Sequence, residues 1–254
     1  RKDEEMIRNR KAFCLAAVAA CMMSAAFAST AHAVLDGVFT AGLTPGTHTF
    51  TELHGEQTTT APDVFKTEKS KIECSDKETT FKLDEGDSTK NGTATSLILI
   101  PDFKHCLADG KFPVTFTMKF CDFRLEQPEE VAGPDTVWTG TVDLTCSALE
   151  TMDIDVYAMG TVTAHSVLSC TITVFQKKKM PHVVYHNINA NKDYILATLK
   201  VTGIEYEGHG IGCPDGNTVK KANGVYESTI KITGKSNLGD PDDVWLSTVN
   251  ASTP

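Results

Sequence analysis

Six of the eight cysteines, those at 74, 106, 121, 146, 170 and 213 beyond a signal-like leader, are the residues whose type and number point most directly to a chemistry. An even count in an exported chain reads as disulfides: Cys74, Cys106, Cys121, Cys146, Cys170 and Cys213 would form three bridges. None of them has the C-x-x-C or C-x-x-H spacing of a zinc or thioredoxin-type site. Asp153 and Asp155 lie two apart on a predicted strand, so they share a face and could act as the carboxylate pair of a hydrolase. The wet face of an amphipathic strand explains them equally well. His182 and His186 also share a strand face, but a metal needs further ligands and the sequence identifies none. Acidic turns at Asp84–Asp87, Asp215–Asn217 and Asp240–Asp243 could offer oxygens to calcium, although none has the spacing of an EF-hand loop. There is no G-x-S-x-G elbow, H-E-x-x-H pair or Gly-rich phosphate loop. No catalytic residue, cofactor or metal is therefore assigned, and the chain reads as a protein other than an enzyme.

The elements that would carry these residues are strands. From Val114 to Phe120 the apolar residues fall on even positions, and at Phe123 and Leu125 on odd ones. A strand with one buried face has a side-chain period of two, so the change of phase near Cys121 predicts a bulge or a corner. The device recurs 81 positions later: Ile195, Ala197, Leu199 and Val201 are in phase, and beyond Gly203 the phase passes to Ile204 and Tyr206. Laying residues 101–125 over 182–206 sets His105 on His186 and Met118 on Leu199, which suggests an internal duplication. His105 then reads as half of a shared structural hydrogen bond. Further strands are expected at Thr47–His54, Thr79–Leu83, Trp138–Cys146, Val167–Phe175, Val183–His186, Gly224–Gly234 and Val244–Val249. Leu97–Ile100, apolar throughout, reads as a strand buried on both faces. Trp138, in phase with Val142 and Leu144, is expected in the core. Lys177–Lys179 reads as the cap of a turn.

Residues 1–33 have the layout of a secretory signal peptide, with 1–5 as an extension upstream of Met6. Arg8, Arg10 and Lys11 precede a small, apolar run, and Ala31-His32-Ala33 suits cleavage. Val18-Ala19-Ala20-Cys21 offers an alternative, lipidation at Cys21, which would tether the protein to a membrane. Cleavage after Ala33 removes five basic and three acidic residues, leaving 19 Lys and Arg against 30 Asp and Glu. Such an acidic, exported chain is poorly suited to nucleic acid or anionic lipid. Asn91 and Asn250 match the glycosylation sequon, which in a bacterial product usually stays bare.

In the overlay, Cys106 and Cys121 are missing together from the second unit, opposite Asn187 and Thr202. Partners in a bridge should vanish as a pair, so a Cys106–Cys121 disulfide is expected. Cys146–Cys170 and Cys74–Cys213 then follow as the favoured pairings of the other four.

The succession "KIEC" (71–74), "FKHC" (103–106), "MKFCDF" (118–123), "GTVDLTC" (140–146), "SCTITVFQ" (169–176), "VTGIEY" (201–206) and "YESTIKITG" (226–234) resembles exported all-β proteins of actinobacterial type, a group without an assigned activity. The resemblance implies export and an all-β fold, and it carries over no site residue.

The sequence thus predicts a secreted or cell-surface, disulfide-stapled β-sandwich of two related antiparallel units, residues 34–146 and 147–254. Its expected role is structural or binding, with glycan or protein as ligand. The alternatives are an extracellular hydrolase with a carboxylate site and a calcium-stabilised, adhesin-like module.

Overall fold

The computed structural model describes residues 35–41, 50–58, 62–75, 80–84, 93–94, 96–131, 137–147, 150–158, 167–188, 194–236 and 244–248. The signal-peptide segment, both sequons, most of Asp84–Asp87 and all of Asp240–Asp243 lie outside them.

The described residues are all-β, as expected, and their pairings close on themselves. Eight long staves, most of them two consecutive strands, follow one another around a barrel. The first is β2 (Phe50–Gln57) with β3 (Asp63–Lys66), preceded by β1 (Leu35–Ala41). The second is β4 (Lys71–Cys74) with β5 (Thr80–Asp84). After β6 (Thr93–Ala94), the third is β7 (Ser96–Asp102) with β8 (Cys106–Ala108). The fourth is β9 (Phe112–Thr117) with β10 (Cys121–Val131), and the fifth β11 (Val137–Cys146) with β12 (Met152–Tyr157). The sixth is β13 (Leu168–Val174) with β14 (Lys177–Ile188). β15 (Tyr194–His209) and β16 (Lys220–Ser236) are the seventh and eighth, and β17 (Val244–Thr248) follows. Each stave pairs antiparallel with the next, and the eighth returns to the first through β16–β2 and β16–β3. The sequence predicts two sheets face to face. Its periodicity reports one buried face per strand, which a sandwich and a closed barrel share; only the long-range seam between β16 and the first stave tells them apart.

The expected boundary at Cys146 falls inside the fifth stave, and β9–β12 and β11–β14 join residues on its two sides. The overlaid segments form hairpins of equal register, Cys106 opposite Val114 and, 81 positions on, Asn187 opposite Ile195. A meander repeats its hairpins whether or not a module has been copied.

All the staves change course at the waist of the barrel. At Gly203 (φ 73°) the register with β16 shifts, moving the buried side chains from Leu199 and Val201 to Ile204 and Tyr206. Glycine suits this site because other residues meet the left-handed region with strain. In the fourth stave Met118-Lys119-Phe120-Cys121 makes a tight turn, closed by the Cys121 amide on the Met118 carbonyl at 2.6 Å. Both predicted phase changes are present. Leu97 and Leu99 face inward and Ile100 is exposed, so β7 is buried on one face only. Β10 runs on as strand to Val131, through a bulge between Glu126 and Glu129.

The bridges are Cys74–Cys106, Cys121–Cys146 and Cys170–Cys213, which corrects the expected Cys106–Cys121, Cys146–Cys170 and Cys74–Cys213 pairings. Hairpin register is the reason. The turn after β8 sets Cys106 against Val114, and Cys121 lies seven residues further along, about 20 Å of strand. Cys74 stands opposite Cys106, and Cys121 opposite Cys146. Both pairs flank breaks in their staves, so each covalent link ties neighbouring strands where the hydrogen-bond ladder is interrupted.

Inside, Ile72, Leu125, Val142, Ile154, Ile195 and Ile232 are buried among an aromatic belt. Phe123 stacks on Tyr226 (5.6 Å, 9°), and Phe103 lies against Phe116 (4.3 Å). Trp138 is core, as expected. Β1 joins β10, β6 and β17, and its Phe39 is fully buried edge-on to Tyr185 (5.6 Å). The outside carries Thr, Asp, Lys and Glu, the reverse of a lipid-facing barrel, which is apolar outward.

Candidate functional site

An eight-stranded barrel is just wide enough for its own side chains. One void among the described side chains, ringed by Phe65, Phe103, Phe116, Phe123, Leu144 and Tyr226, measures about 10 Å³. That is room for a water molecule at most. Among the described residues, a larger concavity lies on the outer surface.

A groove of about 450 Å³ crosses the outside of staves two, one, eight and seven. It exists because the first stave breaks between Gln57 and Asp63. Β16 pairs with β2 from Ile230 onward and with β3 up to Glu227. Between them the Thr58 amide reaches the Thr229 carbonyl at 3.0 Å. The sheet surface sinks there toward Leu199 and Ser228, with Pro62 and Val64 on one side and Thr198 and Thr229 on the other. Three lysines rim it. Lys66 pairs with Glu227, Lys71 with Glu73 at 2.5 Å, and the largely exposed Lys200 stands 4.0 Å from Glu227.

Under the groove floor, the Ser228 hydroxyl donates to Asp63 Oδ1, while Asp63 Oδ2 is buried and meets no hydrogen-bond partner among the described residues. Burial pushes the Asp63 carboxyl up to about 6, against the lowering effect of Ser228 and Tyr226. The Tyr226 hydroxyl is buried beside it and is raised too, chiefly by desolvation. With Asp63 only 2% exposed, this is an acid closed off from a substrate in the groove.

On the far side of the barrel, Lys119 (φ 39°) and Phe120 (φ 59°) form the centre of the fourth-stave turn. Asp109 and Gly110 make a turn with the same signs of φ, closed by the Lys111 amide on the Ala108 carbonyl. Asp-Gly is suited to that shape and Lys-Phe is not; left-handed backbone costs about 1–2 kcal/mol for an ordinary residue. The turn leaves Phe120 84% exposed, where its even position had suggested the buried face. Lys119 reaches across to Asp153, and the Ser147 amide donates to the Phe120 carbonyl.

The other candidates are dispersed. Asp153 and Asp155 lie side by side outside the barrel, accepting hydrogen bonds from Thr173 (3.0 Å) and Thr171 (2.6 Å). They line no cleft. His182 and His186 lie on the outer face of β14, where Val183 and Tyr185 point inward. His105 takes the left-handed turn before β8. Lys177 and Lys179 belong to the start of β14: the Lys177 ammonium donates to the Gly203 carbonyl and the Lys179 amide to Asp143 Oδ1. Asn217 of the Asp215–Asn217 turn accepts the Gly210 amide at 3.0 Å, bracing a loop that Cys213 ties to β13. No group of three or more His, Cys, Asp or Glu placed to hold a metal occurs among the described residues. Asp63 and Phe120 escape the sequence reading: burial of a lone aspartate and exposure of a lone phenylalanine follow from register and turn geometry, not from residue type.

No family model matches the chain, and neither a curated protein nor a solved structure gives a match.

Proposed function

We propose that the chain is an exported structural or binding module that works through the outside of its barrel, with a glycan or protein as ligand. The observation that carries this is the packing of the described core: a carrier of small apolar cargo needs hundreds of Å³, and the void beside Phe103, Phe123 and Tyr226 is about 10 Å³. Three disulfides suit an oxidising compartment. The groove rimmed by Lys66, Lys71 and Lys200 is the concave part of that outer face.

The test uses the intact, oxidised protein on glycan and peptide arrays, alongside titration with a fluorescent fatty acid. Binding on an array that weakens in Lys66→Glu or Lys200→Glu supports the reading. Stoichiometric uptake of the fatty acid overturns it.

A further inference from the structure

We infer that Phe120 of one molecule seats in the outer groove of a second copy of this chain, so that copies associate head to tail. The inference rests on the reading of the outer face as the working surface and names its partner. Phe120 projects from a turn whose backbone suits Asp-Gly or Asn-Gly far better than Lys-Phe, and its side chain is 84% exposed. An unfavourable shape that holds a large apolar side chain in water marks a contact made outside the molecule.

The groove fits that side chain. At about 450 Å³ it exceeds one aromatic ring, and Pro62 with Val64 gives it an apolar edge. The charges are complementary. Three lysines against two glutamates line the groove. Around Phe120 the balance is reversed: Lys119 is paired with Asp153 and feels Glu150 and Asp155, and Asp122 follows in the chain.

Placement decides the symmetry. The groove centres on the seam between the eighth and first staves, and Phe120 lies on the fourth, half-way around the barrel. Both sit at the level where the staves break. A molecule therefore cannot fill its own groove, and the two patches differ, so the contact is heterologous and each added copy leaves a free knob and a free groove.

Sedimentation velocity of the full, oxidised protein over a wide concentration range tests this. The expected result is an average mass that climbs past the dimer and falls with added salt. Phe120→Ser and Lys200→Glu should each lower the association constant at least about tenfold, without lowering the melting temperature. Mixing the two variants pairs an intact groove with an intact Phe120, so growth should stop at a 1:1 dimer. A wild-type chain that stays monomeric throughout, or association that persists unchanged in Phe120→Ser, overturns the inference. A monomer that still binds an array through Lys66 and Lys200 retains the outer-surface reading and loses only the self-association.

Discussion

Asp63 and Ser228 meet across the seam where the last stave closes on the first, hydrogen-bonded and sealed from solvent. Their separation of 165 residues makes this one of the most non-local contacts in the chain. It places a carboxyl of raised pKa on the joint that turns a strip of strands into a barrel.

Barrel stability should consequently fall as Asp63 ionises. The folded value, about 6, lies above the ordinary carboxyl value of 3.8, so the native state holds the proton more tightly than the unfolded chain. The contribution is complete below the lower value and is lost as pH rises through the upper one, on the order of 2–3 kcal/mol in all. Asp63→Asn can still accept the Ser228 hydroxyl and has no proton to lose. Its denaturation midpoint should exceed the wild type's at neutral pH, and the difference should vanish in acid. Equal midpoints at both pH values would show that burial of Asp63 is not what sets the slope.

The two waist bridges should act on the breaks they flank. In the chain-entropy account, Cys74–Cys106 and Cys121–Cys146, with separations of 32 and 25, each contribute about 3–4 kcal/mol. Cys121→Ala with Cys146→Ala should lower stability by that order and speed exchange of the amides at positions 121 and 147, which bond the Met118 and Phe120 carbonyls, while the amides of Ile195 to Leu199 stay protected. Peptide mapping of unreduced protein should recover 74 with 106, 121 with 146 and 170 with 213.

Those pairings show where sequence reading stopped. The corner before Cys121 and the shift at Gly203 were legible because period-two burial is a local property, and Leu199, Val201, Ile204 and Tyr206 record it directly. The Asp109–Gly110 turn sets Cys106 against Val114, a register that excludes Cys106–Cys121. Presence and absence of cysteines in an overlay carries no register, and so it misled. Closure through β16 was beyond local pattern, because Tyr226 and Ile230 look alike whether their strand ends a sheet or seals a barrel. Without the seam, neither the groove nor the burial of Asp63 could be foreseen.

Replacing Lys119-Phe120 by Asn-Gly should stabilise the barrel. Two left-handed residues cost about 1–2 kcal/mol each, and Asn-Gly removes most of that. The change also removes the Lys119–Asp153 ion pair, a small loss because solvent screens the exposed ammonium. The balance favours the variant by about 1 kcal/mol or more, a rise of roughly 2–4 °C in melting temperature for a chain of this size. A fall on calorimetry would mean that Phe120 supports the fold itself.

Glycines separate crowding from conformation. At Gly37 a Cβ would lie 2.3 Å from Trp138 Cζ3 and 2.6 Å from the Pro128 carbonyl, in the passage where β1 leaves β10 for β17. Trp138 is fixed in the core and Pro128 O is backbone, so neither can yield cheaply. At Gly110 (φ 68°) nothing lies within 4 Å, and only the left-handed backbone resists a side chain. Gly37→Ala should cost more, about 1–3 kcal/mol from overpacking, against about 1 kcal/mol for Gly110→Ala. The two should also differ in kind. Displacing β1 withdraws Phe39 from the ring of Tyr185, so Gly37→Ala should weaken the near-ultraviolet circular dichroism of the core, and Gly110→Ala should leave it intact. If the two variants gave the same spectrum and the same midpoint, β1 would not be held against Trp138 as described.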